Sequence, residues 1–149
     1  MRMEIRVLEQ TELEDALRLI RETFREFVAK YYTEEGANRF LDYFSDAENF
    51  EEDVFYGAFD VNGELAGVIG ATNGLSHIIA FYVRKKFMKK GVGKALFNRL
   101  SEDSENSYVT VNASPYAVGI YEKLGFIEAG ETQDDEGKIY TPMMCVFHR

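Results

Sequence analysis

The chain contains no tryptophan, one cysteine, two prolines and two histidines in 149 residues. A single thiol, Cys145, cannot close an intrachain disulfide or build a multi-cysteine metal site, and it reads as a small hydrophobe within an apolar strand. No metal is expected. Pro115 and Pro142 stand alone, and no Ser/Gly/Pro-rich stretch, repeat or low-complexity run offers a linker, so one domain is expected over residues 1–149. No apolar run approaches the ~18 residues of a membrane span, and the opening MRMEIRVLEQ lacks the cationic-then-apolar order of a secretory signal. A cytoplasmic protein that engages no membrane is the default expectation.

What the chain does have is core material and an uneven charge. Hydrophobic residues make up 46%, with 12 Phe and 9 Tyr, enough to fill one core. The net charge of −9 resides entirely in residues 1–60, which carry 16 acidic and 7 basic side chains, whereas residues 61–149 hold ten of each. Within that balanced part, Arg84 to Arg99 holds seven basic residues and no acid. An acidic domain repels a polyanion everywhere outside so small a patch, which argues against nucleic-acid binding. On charge alone the lysines describe a solvated surface. Only the glycines set among Lys89, Lys90 and Lys94 suggest an anion site.

The hydrophobic pattern alternates between strand and helix. Met3 to Leu8 reads as a strand, and a capping box from Thr11 to Glu14 opens a helix with Leu13, Ala16, Leu17, Ile20, Phe24, Phe27 and Val28 on one face. A second helix is expected from about Glu34 to Phe44, then a loop or short helix over Asp46 to Asp53. Val54–Phe59 and Leu65–Ala71 form a hairpin around Asp60 to Gly63. Leu75 to Val83 is apolar on both alternations, as a central strand covered on both faces would be. A helix follows the glycines, with Val92, Ala95, Leu96 and Leu100 on its apolar face. Beyond the strand Tyr108–Val111, Ser114 and Pro115 read as an N-cap and first helical residue, and Gly125 as the C-terminal cap. Strands Phe126–Ala129 and Ile139–Phe147 complete the pattern around a turn at Asp134 to Gly137. The sum is an α/β (α+β mixed) fold, with a mixed sheet of about seven strands and about four helices.

The segment Val83 to Leu100, VRKKFMKKGVGKALFNRL, carries the most information. A strand runs through a basic, glycine-containing turn into a helix, which sets unpaired N–H groups, the positive end of a helix dipole and lysines around a point that an anion can approach. Two nucleotide-loop readings fail on spacing. A Walker-type loop needs a glycine where Met88 stands and a hydroxyl where Ala95 stands, and a dinucleotide fingerprint needs a third glycine where Leu96 stands.

This order of elements, the stretch FYVRKKFMKKGVGKALF and the later VNASPYAVGIYEKLGF resemble the GCN5-related N-acetyltransferase superfamily. The family's acetyl-CoA signature is Arg or Gln, two residues, Gly, one residue, then Gly or Ala. Here that window reads Met88, Lys89, Lys90, Gly91, Val92, Gly93. The glycines match, while Met88 replaces the polar side chain that helps hold the turn and pyrophosphate. The resemblance implies a mostly antiparallel sheet and acetyl-CoA as acetyl donor, taken up by the turn from Lys89 to Lys94 and by the backbone of Phe81, Tyr82 and Val83. Main-chain N–H groups near these last residues would also meet the carbonyl oxygen in the reaction. Asn112 would bond the cofactor arm or hold splayed strands, and is equally a strand-end turn residue.

The resemblance also implies a proton economy. The acceptor amine must lose a proton and the leaving thiolate must gain one. Tyr121 matches the family's general acid, although at its spacing it also packs as one more core aromatic beside Ile120 and Leu124. His77, six positions before Val83, matches the place of the glutamate base in histone-type members; a hydrogen-bonded core histidine is the plainer reading. The acidic first part of the chain borders the acceptor side in the family, so its charge would attract a cationic amine. Of the aromatics Phe24, Phe27, Tyr31, Tyr32, Phe40, Tyr43 and Phe44, most read as core at helical spacing. The implied partner is a small-molecule or peptide amine. The alternative is a catalytically silent acyl-CoA-binding or interaction module on the same fold. Met143 to Phe147 suits either a subunit contact or the chain's own sheet, which leaves monomer and homodimer both open.

Overall fold

The structure is a computed structural model and describes residues 2–149. The first alternating segment forms strand β1 (Glu4–Val7), and a 3-10 turn over Gln10–Glu12 leads into helix α1 (Leu13–Phe27). The capping box expected at Thr11 and Glu14 is displaced. Glu12 instead accepts the Glu9 N–H at 2.9 Å and grips the Arg6 guanidinium with both oxygens, at 2.7 and 2.6 Å. The same carboxylate is thereby held by a two-point bond to guanidinium. With the Glu9 N–H, that bond holds the Glu12 carboxyl at about 2, below its ordinary 4.5.

Helix α1 buries Leu13, Ala16, Leu17, Leu19, Ile20, Thr23 and Phe24, and each buried Leu, Ile or Phe stabilises the fold by about 1.5–3 kcal/mol relative to exposure. Helix α2 (Glu34–Tyr43) starts after Thr33, whose hydroxyl accepts the Gly36 N–H at 3.0 Å. A 3-10 turn, Ala47–Phe50, fills the acidic segment before the hairpin β2 (Val54–Phe59) and β3 (Leu65–Thr72). Strand β4 (His77–Val83) follows, then a 3-10 turn (Lys85–Phe87), helix α3 (Val92–Asp103) and strand β5 (Tyr108–Ala113).

Ser114 and Pro115 do not open the next helix. The Ser114 carbonyl accepts the Ala117 N–H at 2.9 Å, closing a turn with proline in its second position, and α4 (Val118–Lys123) begins beyond it. Gly125, at φ +102°, ends the helix as expected. Three strands remain, β6 (Ile127–Glu128), β7 (Gln133–Asp135) and β8 (Lys138–Val146). Strand β7 is the eighth strand that periodicity missed, because its three residues are all polar and exposed.

The sheet order is β1-β2-β3-β4-β5-β8-β6, with β7 paired to β8 off that path. Among the described residues only β4 and β5 run parallel. Strand β8, including Met143 to Val146, lies between β5 and β6 within the chain's own sheet. Helices α3 and α4 cover one face, where Leu96, Leu100, Val109, Tyr121 and Met143 share a core; α1 and α2 cover the other, around Leu17, Ile20, Phe24, Phe40 and Val68. The fold is mixed α/β with a mostly antiparallel sheet.

Two features of β4 position the site. Gly70 faces Ala80 and Ala71 faces Ile78, so Ile79 is the extra residue of a bulge. And β4 meets β5 only at His77–Thr110 and Ile78–Val111. Past Ile78 the two parallel strands splay apart. The expected central strand covered on both faces is therefore half-open, with only Ile78 and Ala80 buried, because the splay leaves a cavity along its free edge.

Candidate active site

The splay opens a cavity of about 490 Å³ that passes through the sheet from the α3 side to the α1 and α2 side. One wall is the free edge of β4. The Arg84 N–H donates to the Ala66 carbonyl at 2.8 Å across β3. Backbone groups alternate along a strand, so Tyr82 turns its N–H and C=O toward β3 as well, while Phe81 and Val83 turn theirs toward the cavity. That edge matches an extended ligand with alternating donors and acceptors.

The turn into α3 forms the mouth. Met88, Lys89, Gly91, Val92, Gly93 and Lys94 all line the cavity, whereas Lys90 is exposed and stands outside its wall. Gly91 takes φ +83° at the helix N-cap, a conformation that side chains with a Cβ rarely adopt. The first intrahelical bond runs from the Ala95 N–H to the Gly91 carbonyl at 3.0 Å, so the N–H groups of Val92, Gly93 and Lys94 precede the helix's own ladder. A Cβ built on Gly93 would lie 3.6 Å from the Phe81 ring, leaving room for a methyl and little more. The turn thus presents bare N–H groups and positive charge to an anion at the cavity mouth, a fit for a pyrophosphate. Met88 adds a half-buried thioether to the wall where a charged or amide side chain would add a bond.

Tyr121 is 6% exposed, packed 5.9 Å from the Phe81 ring and edge-on to Phe126 at 5.1 Å. Among the described residues its hydroxyl bonds no protein group, and no fully buried side-chain polar atom lacks a partner. The hydroxyl therefore keeps a contact with solvent, and the cavity that Tyr121 lines provides it. Burial pushes its pKa well above the usual tyrosine value, so it stays protonated at neutral pH. Tyr82 is shifted the same way, by burial first and then by its neighbours Tyr32 and Tyr121. Asn112 lines the cavity from β5, exposed and on the face opposite the buried Val111 and Ala113.

His77 does not line the cavity. It sits at the closed end of the splay, its Nδ1 2.7 Å from the Thr110 hydroxyl, and burial, assisted by the charge of Lys138, lowers its pKa. The acceptor-side wall comes from Thr23, Val28, Tyr32, Phe40 and Lys138. Phe24 and Phe44 lie in the core behind Phe40, and Tyr31 and Tyr43 are exposed. Among the described residues no Asp or Glu lines the cavity, so the acidic charge of residues 1–60 lies elsewhere on the surface. Periodicity carries no hint of Lys138, because its strand partner β7 is wholly polar and exposed.

A family model described as an acetyltransferase (GNAT) domain matches residues 28–147. The chain belongs to the GNAT family. Acetyl-CoA-dependent N-acetyl transfer is the activity class that this membership carries. Among solved structures, a GCN5-related N-acetyltransferase from Rhodopseudomonas palustris aligns over 99% of both chains at 20% identity and a TM-score of 0.82. The PaiA N-acetyltransferase from Thermoplasma acidophilum, in complex with coenzyme A, aligns over 99% of this chain and 100% of its own, at 21% identity and 0.76. A mutant of the spermidine N-acetyltransferase SpeG from Vibrio cholerae aligns over 97% and 93%, at 17% identity and 0.65. These likenesses establish the shared fold. No curated protein sequence matches the chain.

Proposed function

We propose that this GNAT domain acetylates a primary amine by direct attack on acetyl-CoA within a ternary complex. Acetyl-CoA, when bound, supplies the acetyl group as a thioester whose sulfur departs as coenzyme A. The residues of the cavity divide the remaining work. The turn from Lys89 to Lys94, Lys90 at its rim excepted, takes the pyrophosphate through backbone N–H groups, with Lys89 and Lys94 adding charge. Phe81 and Val83 pair their free backbone edge with the extended arm, and the same edge offers N–H groups to the negative charge that develops on the carbonyl oxygen. Asn112, on the opposing strand, is placed to bond the arm from the other side of the splay.

Tyr121 donates the proton that the departing sulfur needs, and its raised pKa keeps that proton available at neutral pH. The observation that carries this reading is the Tyr121 hydroxyl: a buried ring whose only unpaired polar atom opens into the cleft between β4 and β5. The amine attacks the carbonyl carbon, the carbon–sulfur bond breaks, and the amine's surplus proton leaves to water in the open cavity, from which Tyr121 regains the proton it gave to the sulfur. His77 stands behind the wall, so direct receipt of that proton has no support from its placement.

The test is acetyl transfer from acetyl-CoA to a broad amine panel, followed as free thiol. Tyr121→Phe should lower kcat by about 10²–10⁴-fold while leaving acetyl-CoA affinity within about threefold. An unchanged kcat would remove Tyr121 as the acid. Met88 favours a second reading, a domain that binds acyl-CoA without turnover. Saturable acetyl-CoA binding with no amine acetylated would decide for it.

A further inference from the structure

We propose that the acceptor is a small α-amino acid with an apolar side chain, and that Lys138 receives its carboxylate. The inference rests on the transferase reading above. Lys138 begins β8 and is half-buried in the acceptor-side wall. Its ammonium forms no hydrogen bond or ion pair among the described residues, and burial lowers its pKa, an effect that the charge of Asp135 offsets only in part. Arg39, nearby, adds to the positive potential but spends its own guanidinium on Glu136 at 2.9 Å. Asp135 faces Lys138 across the β7–β8 hairpin, but it is exposed, makes no ion pair with it, and does not line the cavity.

The hairpin holds Lys138 in place. The Thr33 N–H donates to the Gly137 carbonyl at 3.0 Å, and α2 approaches so closely that a Cβ on Gly36 would stand 2.5 Å from that same oxygen. The backbone that carries Lys138 is thus fixed beside the acceptor opening, which suits a site that reads one anionic group.

Charge complementarity sets the class of acceptor. A polyamine needs carboxylates along its length, and this wall has none among the described residues. Its one ionised group on the acceptor side is a cation, so a ligand with a second ammonium is repelled and one with a carboxylate is drawn in. Val28, Tyr32 and Phe40 make the rest of that wall largely apolar, a surface for a side chain of leucine or phenylalanine size. The cavity of about 490 Å³ must also take the donor's arm, which limits the acceptor to a small molecule.

The experiment compares kcat/KM for leucine and phenylalanine with their amides and with spermidine, in the full-length protein and in Lys138→Gln and Lys138→Glu. In the unmodified protein the amino acid should exceed its amide by about tenfold or more, and spermidine should be the poorest acceptor. That ratio should fall to near one in Lys138→Gln and below one in Lys138→Glu, with the change mainly in KM. Far-UV circular dichroism of both variants checks that the fold is kept. Efficient acetylation of spermidine or of the amides, or equal losses on every acceptor in both variants, would overturn the assignment while leaving the transferase reading intact. Binding of acetyl-CoA with none of these acceptors acetylated would overturn the assignment, and failure of the broad amine panel as well would overturn the transferase reading.

Discussion

The two halves of the cavity are built by different means. The cofactor half is made mostly of backbone from one continuous stretch, β4 through the turn into α3, where bulge, free strand edge and glycine turn follow each other within 20 residues. The acceptor half is made of side chains from α1, the segment after it, α2 and β8, residues as far apart as Thr23 and Lys138. Backbone groups are the same whatever the side chains, so the first half is suited to a common cosubstrate. The second half is where the identity of the acceptor is written, and there the surface acidity of residues 1–60 is a misleading guide because none of it enters the wall.

Substitutions can break this comparison from either side. The largest effect on donor binding is expected at Gly93, where the Phe81 ring leaves space for a methyl only. Gly93→Val should weaken acetyl-CoA binding by roughly 100-fold, as measured by calorimetry, because branched carbons would occupy the space needed for close approach to the turn. Gly93→Ala should stay near the parent value, and a Gly93→Val protein that binds normally would show that the turn is not the cradle. At Met88 a gain is expected. Met88→Arg should tighten binding by about threefold to tenfold through one partly exposed charge-assisted bond, an increment that added salt should reduce. A salt-independent or weaker affinity would mean that Met88 serves the site through apolar packing.

The smallest effect is expected at His77, behind the wall. Its folded pKa lies below its ordinary 6.5, so the unfolded chain binds the proton more readily. Stability is then fully present above about pH 6.5 and declines on acidification until the folded pKa is passed. His77→Gln should flatten that part of the stability–pH curve, read by denaturant titration at several pH values, and leave the acid limb of kcat/KM in place. Loss of the acid limb would restore His77 as the base, acting through a water.

How much of this was legible follows the same division. Gly91, Gly93 and the run into Val92, Leu96 and Leu100 announced the turn and helix because their geometry is local. Tyr121 reads as a core aromatic from its helix, but its packing on Phe81 of β4 and the opening of its hydroxyl into a cavity depend on the splay of β4 from β5, which no residue pattern encodes. The cap lies at Glu9 and Glu12 rather than Thr11 and Glu14, with the Glu12 carboxylate also held by Arg6 from the preceding strand, a contact that no local spacing announces. Pro115 entered a turn rather than a helix because Ser114 closed it with its carbonyl. Lys138 was illegible for the plainest reason: its place is set by a polar hairpin held against α2 through Thr33 and Gly137.

Calorimetric titration of acetyl-CoA into the unmodified protein and into Gly93→Val most directly tests the claim that a backbone cradle at the splayed strands holds the donor. The expected result is saturable one-to-one binding that the valine weakens by roughly 100-fold without loss of fold. Absence of saturable binding, or equal affinity in both proteins, would contradict it.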